Sequence, residues 1–82
     1  MLTSHQIRAA RALLRWTAAE LAAKSGVSYH AIQRAENADG IPNMHTRNLM
    51  AVKSALEAAG ITFLDGVNDP AGQGVRLRPI SR

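Results

Sequence analysis

The chain has 82 residues, enough for one domain with a modest core. It contains no cysteine, which excludes a disulfide framework and a thiolate metal site. No apolar run approaches about 20 residues, so no membrane span is expected. The formal net charge of +4 suits a polyanionic partner such as nucleic acid or anionic lipid, and equally a merely soluble surface.

Alanine is frequent and the aromatics are limited to Trp16, Tyr29 and Phe63, a composition that reads as helical. The first helix is expected to start at Thr3 or Ser4, because Thr3 and Gln6 have capping-box spacing. Ile7, Ala10 and Leu14 form its apolar stripe. Arg11 falls on the same stripe, with Arg8 and Arg15 at its outer edge. A guanidinium facing a core is costly unless a partner meets it. Trp16 closes this segment.

Thr17 opens a second helix, again with capping-box spacing to Glu20. Ala18, Leu21 and Ala22 supply its buried side, and Ser25-Gly26 stops it. Ser28 caps a third helix over Tyr29–Glu36. Its Ala31, Ile32 and Ala35 face inward, while Tyr29, His30, Gln33 and Arg34 share the opposite face. Residues 37–43 read as a loop. A fourth helix is expected from about Asn43–Thr46 to Ala59, with Leu49, Val52 and Leu56 as its stripe and Gly60 as its terminator.

Beyond Gly60 the pattern changes to the strand period of two. Ile61–Leu64 and Gly74–Arg78 are expected to form a hairpin around a turn-forming segment. A lone two-stranded hairpin is marginal in water, so it must pack on the helices or pair with a second chain.

Two short helices joined by a tight glycine turn make a helix-turn-helix. The outward face of the third helix then acquires a purpose. Glutamine matches adenine, arginine matches guanine or a phosphate, and an aromatic edge meets a thymine methyl. The plain alternative is a solvated polar face on an ordinary small helix.

The stretch LRWTAAELAAKSGVSYHAIQRAEN resembles the helix-turn-helix of the phage-repressor and Cro-like (Xre-type) DNA-binding regulators. Leu21-Ala22, Gly26-Val27-Ser28, Ile32 and Glu36 carry the resemblance. It implies an all-α fold class: a compact four- to five-helix repressor-like domain over residues 1–60, with a short C-terminal β-hairpin over 61–82 as a possible dimerisation element. It further implies double-stranded DNA as partner, a palindromic operator, a homodimer and a transcriptional regulator, most often a repressor. Family members commonly hold glutamine where this chain has Ala18. Thr17 and the free amides of that helix start are expected to supply the contact instead, and because free amides at helix starts attract anions, Ser28, Asn43 and Arg47 are the further phosphate-binding candidates. Glu36 sits at the helix end that disfavours an anion. Arg11 is its expected partner, as in the family.

Catalysis is not expected. His5, His30 and His45 have no ligand spacing, so no metal site or cofactor is foreseen. Glu20, Glu36 and Glu57 lie on different helices, and Gly72-Gln-Gly74 lacks a phosphate-loop context. Arg76, Arg78 and Arg82 read as a solvated strand face before a basic tail on DNA. The rival function is an antitoxin-like module with a toxin or other protein partner and secondary, autoregulatory DNA binding. The N-terminus lacks the pattern of a signal peptide, and a cytoplasmic, nucleoid-associated protein is expected, with no membrane binding.

Overall fold

Capping chemistry sets where the helices begin. The computed structural model describes residues 2–38, 40, 42, 44–65 and 72–79. Helix α1 (Ser4–Leu14) starts at Thr3, whose side chain accepts from the Gln6 N–H while Gln6 accepts from the Thr3 N–H. Helix α2 (Ala18–Ser25) starts with the same reciprocal pair between Thr17 and Glu20. Helix α3 (Tyr29–Asn37) starts at Ser28, whose Oγ accepts from the Ala31 N–H. Each box satisfies two amides that the helix leaves orphaned.

Helix ends are set by backbone handedness. Gly26, at φ +75°, closes α2 and donates its N–H to Ala22. Helix α1 closes differently from the sequence expectation. It stops at Leu14, and Arg15 takes φ 59°, a left-handed conformation that glycine adopts more cheaply. Arg15 N–H donates to Ala12 and Trp16 N–H to Arg11, the Schellman arrangement. Helix α4 (Thr46–Ala58) ends one residue before the expected Ala59, and Gly60 follows at φ +108°.

Strands β1 (Ile61–Asp65) and β2 (Gln73–Leu77) pair antiparallel, with Ile61 opposite Leu77 and Asp65 opposite Gln73. The second strand is thus displaced one residue from the expected 74–78. Arg78 leaves the ladder, and its N–H donates to the Gly60 carbonyl at 2.8 Å. With four helices and one hairpin among the described residues, the fold is mostly helical rather than strictly all-α.

Ile7, Ala10, Leu21, Ile32, Ala35, Val52 and Leu56 are fully buried and draw all four helices into one core. Leu2 precedes the α1 cap and is buried in the same cluster as Ile7, the placement of a hydrophobic staple. Ile61 joins this core from β1, and Phe63, Val75 and Leu77 pack against it. Helix α1 touches α3 and β2, while α4 touches α2 and β1. The hairpin therefore folds onto its own chain. Buried Gln6 fastens it: Nε2 donates to Leu64 O at 2.9 Å and Gly74 O at 3.0 Å, one carbonyl from each strand.

Candidate nucleic-acid interface

The turn between α2 and α3 is braced from within. Ser25 Oγ donates to Leu21 O at 2.7 Å and accepts from the Val27 N–H at 3.2 Å. Val27 is buried beneath the turn. Helix α3 then divides into two faces. Ala31, Ile32, Ala35 and Glu36 are buried. Tyr29, His30 and Arg34 are exposed and Gln33 is half-buried.

The outward face has order of its own. Gln33 Nε2 donates to Tyr29 Oη at 2.8 Å. The Tyr29 and His30 rings meet edge-on, with centroids 6.1 Å apart and planes at 72°. Arg34 stands apart from this group. With Ala31, Met44, His45 and Asn48 it lines a cleft of about 540 Å³ between α3 and the start of α4.

That start of α4 has the chemistry of an anion site. Its N-cap residue, His45, makes no side-chain capping bond, and the first turn holds no acidic residue. The free amides carry the positive end of the helix dipole. Arg47, exposed in the first turn, lines an adjoining recess with His45 and Asn48. Sequence reasoning passed over His45 and Asn48. Their three-residue spacing places both on one side of a helix start, a signal available only once that start is fixed. Asn43 lies outside the described residues.

The start of α2 is less open. Thr17 and Glu20 already satisfy each other's amides, and Glu20 places a carboxylate in the first turn. Ser28 Oγ is likewise engaged in its cap, although Ser28 itself is exposed. Ala18 is buried, so no side chain projects from that position toward a ligand.

Behind the interface, Arg11 joins three elements. Its Nε donates to Glu36 Oε2 at 2.8 Å and its Nη2 to Glu36 Oε1 at 2.9 Å. Its Nη1 donates to Trp16 O at 3.0 Å, in the connection from α1 to α2. The hydrogen bond to Glu36 pushes the guanidinium pKa above its ordinary value, against the opposing effect of burial. Arg8 Nη1 adds a bond to Glu36 O at 2.8 Å, so two cations hold the end of α3. Glu36 therefore presents no bare negative charge beside the outward face.

No group of His, Cys, Asp or Glu side chains among the described residues is arranged to hold a metal ion. Among the same residues, no helix is long and apolar enough to cross a membrane. His5 is exposed on α1, far along the chain from the interface, and Arg76 and Arg78 are exposed on and beyond β2. Arg82 lies outside the described residues.

Residues 7–46 match the family model described as helix-turn-helix. The match begins in α1, contains all of α2 and α3, and ends at the first residue of α4. No curated protein matches the chain.

Proposed function

We propose that the chain is a DNA-binding transcriptional regulator of the Xre/Cro-like helix-turn-helix type, a repressor that lays α3 in the major groove of double-stranded DNA; the helix-turn-helix match over residues 7–46 supports this reading. The observation that carries this reading is the division of α3. One face is locked into the core, and the other presents Tyr29, His30 and Arg34 exposed and Gln33 half-buried. Base-edge readout needs a rigid helix with hydrogen-bonding side chains on the free side.

Around that helix the roles divide. Tyr29, His30 and Gln33 are the base readers. Arg34, at the edge of the face and beside the start of α4, reaches a phosphate with Arg47, Asn48 and the free α4 amides. Thr17 and Ser28 contribute only through their hydroxyl protons, since their oxygens already cap helices.

The regulator works as a homodimer on an inverted repeat, with the hairpin contributing to the interface. Support comes from the sheet, which has only two strands among the described residues. Selection of bound duplexes from a random pool tests the whole reading. An inverted repeat with half-sites about one helical turn apart, ~34 Å, is expected. Enrichment of a single unrepeated site, or of none, would count against it.

A further inference from the structure

Two side chains on the outward face of α3 are bonded to each other. Gln33 Nε2 donates to Tyr29 Oη at 2.8 Å, across the four-residue spacing that stacks neighbours on a helix. The Tyr29 ring is itself braced by the edge contact with His30. A carboxamide has one acceptor oxygen and two N–H groups. With one N–H spent on Tyr29, Gln33 is left with one N–H and Oε1, a donor beside an acceptor.

Among base edges in the major groove, adenine offers the matching pair, an N6 donor beside the N7 acceptor. Guanine offers two acceptors, O6 and N7, and would set one of them against Oε1. Turning the amide over, so that Oε1 accepted from the phenol, would free both N–H groups and match guanine instead. In the direction the structure shows, with the phenol accepting, the groups that Gln33 leaves free match adenine.

We propose that Tyr29 is a positioning residue that fixes the Gln33 amide and so selects adenine over guanine. This rests on the reading of α3 as the groove helix. Tyr29 acts here through Gln33, and its ring needs no base contact for the effect.

The test compares duplex selections with the full-length wild type, Gln33→Ala and Tyr29→Phe at one salt concentration. The operator position that loses its preference in Gln33→Ala is the Gln33 position. Wild type is expected to show adenine there, by about 5- to 150-fold over guanine. Tyr29→Phe keeps the ring and the fold but loses the acceptor. It is expected to reduce the adenine-to-guanine ratio at that position by about 2- to 12-fold, the worth of one neutral hydrogen bond. Positions read by other side chains, His30 among them, should keep their preference, which a general loss of stability would not allow. Guanine at the Gln33 position in wild type overturns the proposal. So does a Tyr29→Phe profile identical to wild type. If Gln33→Ala alters no position, the groove reading of Gln33 fails as well, so the two failures are distinguishable.

Discussion

Arg11 and Glu36, 25 residues apart, form a two-pronged ion pair that fixes α3 to α1. The glutamate side chain is 7% exposed and the arginine 26%. Removing the arginine would leave a buried carboxylate without its main partner. Arg11→Ala should therefore cost about 2–4 kcal/mol, somewhat under a fully enclosed pair. Arg11→Lys should recover only part of this, because an ammonium cannot match both oxygens and Trp16 O in one plane. Urea denaturation checks it, and a loss below about 0.5 kcal/mol, typical of exposed pairs, would refute it.

The raised Arg11 pKa gives the pair a definite pH behaviour. A cation whose folded pKa lies above its unfolded value stabilises below the unfolded pKa and loses that contribution as pH rises through the folded one. For Arg11 that window lies at strongly alkaline pH. Between pH 7 and 9 the difference in stability between wild type and Arg11→Ala should hold constant.

Gln6 holds the hairpin through a single side chain. Gln6→Ala leaves the Leu64 and Gly74 carbonyls and the Thr3 N–H without their partner, at roughly 1–3 kcal/mol. Hydrogen exchange should quicken in β1 and β2 more than in α2 and α3. Equal acceleration everywhere would mean that the bonds to the strands contribute no local stability.

Arg15 adopts a left-handed φ of 59°, which is costly for a residue other than glycine. Arg15→Gly should raise stability by about 1 kcal/mol, the lower end of the cost of that conformation. A fall in the melting temperature would show that the Arg15 side chain contributes more than its backbone costs.

Arg47→Ala should weaken binding to specific and random duplex alike and reduce the salt slope by about one. A selective loss on the operator would reassign Arg47 to base reading. An unchanged slope would remove it from the phosphate backbone.

The parts of the fold written in local chemistry were legible in the sequence. The Thr3–Gln6 and Thr17–Glu20 boxes, the Ser28 cap and Gly26 each depend on residues within one turn. So does the two-faced pattern of α3, from which the outward set Tyr29, His30, Gln33 and Arg34 follows. Of the long-range polar bonds, Arg11–Glu36 was legible, because each charge is misplaced on its own helix, whereas those of Gln6 and Ser4 were not. Gln6 reaches carbonyls 58 and 68 residues away, and Ser4 Oγ donates to Ala35 O 31 residues away. In the sequence, Gln6 explains itself fully as a cap, and nothing hints at its second task. The left-handed Arg15 escaped for the converse reason, since a non-glycine residue carries no mark of that conformation. The cleft beside Arg34 needs the docking of α3 against the start of α4, which periodicity does not fix.

The most direct test of the groove reading is amide-resolved NMR of the full-length protein titrated with its selected duplex. The largest shifts are expected at residues 28–34 and 45–48, where α3 and the start of α4 meet the DNA. Largest shifts on β1, β2 and the outer side of α1, with α3 unmoved, would contradict it.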